Sequence, residues 1–88
     1  MKKLNVTLNG HSAIVVLNVS SARIKAEGFD IYIEPGHDDC YDTADGRSVW
    51  FYEPTYIEGD ENAPKWLQDI VYTVDMALYT RKFGLLVA

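Results

Sequence analysis

Between His37 and Asp45 the chain gathers six side chains able to bind a metal or move a proton: His37, Asp38, Asp39, Cys40, Asp42 and Asp45. A His-x-x-Cys spacing can place two ligands on one ion, and a neighbouring carboxylate can complete the shell. Structural zinc sites bring four ligands in two pairs, and no second pair exists here. A calcium loop needs acids at its first, third and fifth positions before its glycine. Counting back from Gly46 gives Tyr41, Thr43 and Asp45, so one position of three fits.

Nucleophilic catalysis would require Cys40 or a serine beside His11 or His37, with a third group to orient the base. Nothing marks an oxyanion hole. Carboxylates are many, but none is singled out by an apolar setting that would raise its pKa. No GxGxxG, P-loop or HExxH pattern occurs. The expectation is a non-enzymatic protein without cofactor or metal. A small metal protein or enzyme centred on His37 and Cys40 is the alternative.

The elements that must position these residues are mostly strands. Leu4, Val6 and Leu8 alternate with Asn5 and Thr7, a period of two that marks a half-buried strand. Asn9-Gly10 follows as a type I′ hairpin signal, placing Leu8 opposite His11, Val6 opposite Ala13 and Leu4 opposite Val15. The return strand, 12–19, is apolar on both faces and suits a central position. Residues 20–28 allow a short helix, or a hairpin about Glu27-Gly28. The hairpin pairs Ala26 with Phe29, Ile24 with Ile31, Ala22 with Ile33 and Lys25 with Asp30, and is preferred.

Residues 29–34 alternate as a strand. Pro35-Gly36 reads as the centre of a type II turn. Asp45-Gly46 reads as a two-residue turn joining 38–43 to 47–53, with Tyr41 opposite Trp50 and Cys40 opposite Phe51. In that register Val49, Phe51 and Cys40 share one side, which is expected to meet the helix, with Cys40 a small core residue. Pro54 ends the strand, and 55–58 add a short edge piece.

Leu67, Ile70, Val71, Val74, Ala77 and Leu78 fall on one stripe of a helix spanning about 63–82. Asn62 is placed to cap it and Gly84 to stop it. Residues 85–88 form an apolar tail. The expected fold is α+β: a single domain, 1–88, strand-rich over 2–58. An antiparallel meander sheet of five or six strands packs against one long C-terminal helix. The alternative is a partly closed barrel around that helix. Tyr72, Met76, Tyr79 and Phe83 make a second stripe about 150–160° from the first. A helix on one sheet needs only one stripe.

All thirteen acids lie between Glu27 and Asp75, opposed there only by Arg47 and Lys65, so that segment carries 2 − 13 = −11. The flanks hold six bases and no acid. So acidic a middle repels a phosphate backbone, which argues against direct nucleic-acid binding. The longest apolar run, 13–17, is far too short for a membrane span. After Met1-Lys2-Lys3, polar Asn5, Thr7, Asn9 and Gly10 interrupt any signal-like apolar stretch. One cysteine excludes an intrachain disulfide. The expectation is a cytoplasmic protein with no membrane contact.

The aromatics carry the functional reading. On the expected sheet, Tyr32, Tyr41, Trp50 and Tyr52 stand on the face opposite the helix, among Asp30, Glu34, Asp38 and Asp39. An acidic, aromatic surface suits a basic partner protein. The expected function is therefore partner binding, in the manner of a small phage-type inhibitor or a nucleic-acid mimic. The alternative is a homodimeric assembly subunit using Tyr72, Met76, Tyr79 and Phe83.

Overall fold

The computed structural model describes residues 2–86. The strands are β1 (Lys2–Leu8), β2 (His11–Leu17), β3 (Ala22–Ala26), β4 (Phe29–Glu34), β5 (His37–Asp42), β6 (Ser48–Glu53) and β7 (Tyr56–Glu58). One helix, α1 (Lys65–Thr80), follows, then a 3-10 turn over Phe83–Leu86. Five strands form an antiparallel sheet in the order β1-β2-β3-β4-β7, while β5 and β6 pair only with each other. The architecture is α+β in two layers. The sheet is open, with edges at β1 and β7, and does not curl into a barrel around the helix.

Both expected type I′ turns form. Asn9 and Gly10 take φ 52° and 80°, and Glu27 and Gly28 take 46° and 87°. Those paired positive values twist with the flanking strands, so each loop fixes its register. Leu4 faces Val15 and Val6 faces Ala13; Ile24 faces Ile31 and Lys25 faces Asp30. The Ser20–Gly28 ambiguity thus resolves as a hairpin. β2 lies inside the sheet, paired on both edges but covered on one face, so Ile14 remains exposed.

Alternate residues then enter one core. Val15, Ile24, Ile31 and Ile33 meet Leu67, Ile70 and Val74 of α1, and all are essentially inaccessible. The helix stripe is the one expected from spacing. Its ends differ from expectation. Pro64, not Asn62, is the N-cap and offers no side-chain bond; Asn62 instead takes φ 64°. The Pro64 carbonyl accepts the N–H groups of Leu67 and Gln68, and Gln68 Nε2 donates to Ala63 O at 2.8 Å. At the other end Arg81, in left-handed conformation, stops the helix before Gly84. Its guanidinium donates to Val19 O at 2.7 Å, which ties the helix end to the β2–β3 loop. The following 3-10 turn sends Leu86 into the core, with Phe83 packed against it. Val87 and Ala88 of the apolar tail lie outside the described residues.

The molecule measures 55 × 27 × 20 Å, with a radius of gyration of 15.4 Å. A compact chain of this length would have about 12 Å. The β5–β6 hairpin makes the difference.

Candidate functional site

β5 and β6 form an arm that prolongs the β4–β7 ladder. Tyr32 faces Glu58 and Glu34 faces Tyr56; beyond the break His37 faces Glu53 and Asp42 faces Ser48. Each pair of numbers sums to 90, so one register runs the length of the ribbon. The break falls at Pro35-Gly36 and Pro54-Thr55. Neither proline has an N–H to give to a ladder. Gly36 has no positive φ, so the expected type II turn is absent and the chain runs straight on.

The root of the arm is tied down. Gly36 N–H donates to Thr55 Oγ1 at 3.0 Å, and that hydroxyl donates to the Asp75 carboxylate of α1, 3.3 Å from each oxygen. Partial burial of Asp75 pushes its pKa upward, and the Thr55 hydroxyl opposes this. Tyr52 lies against Gly36, where an added Cβ would overlap its hydroxyl.

At the tip the expected two-residue turn is replaced by a three-residue loop, Ala44-Asp45-Gly46. Gly46 N–H donates to Thr43 O and Thr43 N–H to Arg47 O, with Gly46 at φ 82°. This is a type I turn closed by a glycine bulge. The Thr43 hydroxyl holds it, reaching Asp45 and accepting from Arg47 N–H. The same hydroxyl lowers the Asp45 pKa.

The register therefore slips by one from expectation. Tyr41 faces Val49, Cys40 faces Trp50, Asp39 faces Phe51 and Asp38 faces Tyr52. A slip of one exchanges the strand's faces relative to its neighbour. Asp39, Tyr41, Val49 and Phe51 share one face of the arm, with the Tyr41 and Phe51 rings 5.9 Å apart. Asp38, Cys40, Trp50 and Tyr52 share the other.

Every strand residue of the arm is exposed. Trp50 is 69% accessible, Tyr41 56% and Tyr52 55%. Val49 and Phe51 were expected against the helix. By register they continue the row of Ile31, Ile33 and Ile57, but α1 ends beside the arm's root and both remain exposed. Cys40 was expected in the core and stands in solvent.

The candidate partner residues thus divide between two places. Asp38, Asp39, Tyr41, Trp50 and Tyr52 belong to the arm. Asp30, Tyr32 and Glu34 lie on the uncovered face of the five-stranded sheet, held by Arg23 and by one another. Arg23 reaches Asp30 at 3.3 Å and sits over the Tyr32 ring at 5.2 Å. The Tyr32 hydroxyl donates to Glu34, which raises the phenol pKa. Tyr56 and Glu58 repeat that arrangement at 2.9 Å.

The helix stripe also divides. Tyr72 and Tyr79 are exposed, Met76 is half-buried, and Phe83 has left the helix to pack on the core. His11 is no freely solvated residue: it stacks on Trp66 at 4.3 Å and 6°. His37 and Cys40 fall on opposite faces of the arm, so the ribbon itself separates them. Among the described residues no three His, Cys, Asp or Glu side chains gather as a metal site. The same residues contain no helix long and apolar enough to cross a membrane.

The arm's root, the β2–β3 loop and the end of α1 enclose an open groove of about 720 Å³. Val19, Pro35, His37, Leu78, Tyr79 and Arg81 line it, together with Glu34 and Asp38. Tyr79 of the helix stripe and Glu34 and Asp38 of the acidic set therefore meet here. Sequence reasoning missed Thr55, Asp75 and Arg81, which anchor the arm and the helix end. A signal existed for the arm: Pro35 and Pro54 stand almost symmetrically about the tip loop. Family models, curated proteins and solved structures offer no match to this chain.

Proposed function

We propose that this chain is a small non-enzymatic binding protein that presents the β5–β6 arm to a partner protein with a basic surface. The observation that carries this reading is an arm of twelve strand residues, all exposed, that holds Tyr41, Trp50, Phe51 and Tyr52. An isolated two-stranded hairpin is at best marginally stable in water. Rings left uncovered there contribute little to folding and are the residue types that dominate protein contacts. Asp38, Asp39, Asp42, Asp45 and Glu53 surround them, against Arg47 alone, so the arm carries 1 − 5 = −4. That charge favours approach of Lys- and Arg-rich protein surface and repels nucleic-acid phosphate.

The test uses the full chain as bait, with two variants. Trp50→Ser with Tyr52→Ser should lose the captured partner. Asp38→Asn, Asp39→Asn and Asp42→Asn together should slow association and flatten its dependence on salt. A partner held equally by the parent and both variants, at every salt concentration, would rule the arm out.

A further inference from the structure

Among the described residues, four strand edges carry unpaired backbone groups: β1 and β7 beside the sheet, β5 and β6 beside the arm. Three are blunted in the ways proteins use against edge pairing. β1 opens with Lys2-Lys3, β7 has three residues, and β5 carries Asp38, Asp39 and Asp42. β6 has no such protection. It runs Ser48-Val49-Trp50-Phe51-Tyr52-Glu53, with its one charge at the end.

The direction of its free groups follows from the tip. Thr43 N–H donates to Arg47 O, so in an antiparallel ladder the hydrogen-bonded pairs are Tyr41 with Val49, Asp39 with Phe51 and His37 with Glu53. Ser48, Trp50 and Tyr52 therefore turn their N–H and C=O away from β5.

We propose that two copies of this chain associate by antiparallel pairing of their β6 edges, with Trp50 on the two-fold axis. Such an axis stands normal to the ribbon and keeps each face on its own side. Ser48 then faces Tyr52 of the second copy, Val49 faces Phe51 and Arg47 faces Glu53. The outward groups of Ser48, Trp50 and Tyr52 are those that this register joins. The edge is also self-complementary in charge: Arg47 lies at one end of β6 and Glu53 at the other, so the pairing opposes them twice. The Arg47 guanidinium lies 3.4 Å from Asp45 with both side chains well exposed, a contact weak enough to yield. The two acidic β5 strands become the outer edges, about 14 Å apart at three strand spacings. That exceeds the screening length of about 8 Å at physiological salt. The result is a four-stranded sheet whose two faces remain open to the partner proposed above.

Sedimentation equilibrium of the full chain over a concentration series tests this, with circular dichroism to verify each variant's fold. The parent is expected to dimerise. Arg47→Glu and Glu53→Arg should each weaken dimerisation about ten-fold or more. Mixing those two variants should restore a one-to-one dimer, because every opposed pair is again of opposite sign. Amide exchange at Trp50 and Tyr52 should slow as protein concentration rises. A monomeric parent, a dimer indifferent to both reversals, or single variants that mixing does not rescue would overturn the proposal. Failure of the dimeric parent to capture any basic partner would instead count against the function proposed above and leave this inference standing.

Discussion

In β4, Ile31 and Ile33 are wholly buried beneath α1, whereas in β6 Phe51 continues the same row and is 38% exposed, beside a more exposed Trp50. Both strands sit in antiparallel ladders of one register. They differ in the layer above them. A helix of 16 residues is about 24 Å long. A ribbon from Phe29 to Asp42 runs about 45 Å. The helix can cover the body or the arm, and Leu67, Ile70 and Val74 commit it to the body. Folding energy therefore resides in one half of the molecule, and uncovered aromatic side chains are concentrated in the other.

The sharpest way to break that division is to truncate matched positions. Ile33→Ala should cost about 3 kcal/mol in urea unfolding, since it opens a cavity in a sealed core. Phe51→Ala, measured at low protein concentration, should cost less than about 1 kcal/mol. Equal losses would mean that the arm shares the body's cooperative unit.

The joint between the halves comes next. Thr55→Val removes the acceptor for Gly36 N–H and should cost about 1–2 kcal/mol. It should also speed proteolysis within 35–55, whereas the body stays resistant. Asp75→Asn keeps an acceptor for the Thr55 hydroxyl and removes the charge. The folded pKa of Asp75 lies above its ordinary 3.8, so folding favours the protonated carboxyl. Its contribution is greatest below the unfolded pKa and is lost as pH rises through the folded value. Asp75→Asn should therefore flatten the fall in Tm over that acidic range and leave stability at neutral pH equal or higher.

The smallest effect belongs to the body alone. Glu27 holds φ 46° without being Gly or Asn, and its pairing with His11 at 3.6 Å is exposed. Glu27→Asn should raise stability by about 0.5–1 kcal/mol, read from the urea midpoint.

Much of the body could be read from the sequence because its signals are local and agree. Asn9-Gly10 favours paired positive φ, and the cross-strand pairs on either side of Glu27-Gly28 agree at every position, so two registers follow residue by residue. The helix stripe follows from spacing. The arm's register could not be read so, because Asp45-Gly46 suits either a two- or a three-residue loop. The Thr43 hydroxyl, bonded to Asp45 and to Arg47 N–H, favours the longer one. Burial of Val49, Phe51 and Cys40 was misjudged for another reason: alternation reports a face, and only the tertiary arrangement says whether anything lies on it. The Thr55–Asp75 tie joins residues 20 apart, beyond any local pattern. The candidate partner-binding rings and acids are exposed apart from half-buried Tyr32; the sequence offered them as a set without showing which ring is covered. It wrongly joined the arm to the open sheet face.

The shared register of β4–β7 and β5–β6 has a mechanical meaning. Two stiff segments of one ribbon meet at a short stretch with little ladder bonding, near Pro35 and Pro54. A tilt of about 10° there would swing a tip roughly 25 Å away through about 4 Å. The Asp75 carboxylate sits at the fulcrum of that lever, where it accepts the Thr55 hydroxyl and fastens the ribbon to α1.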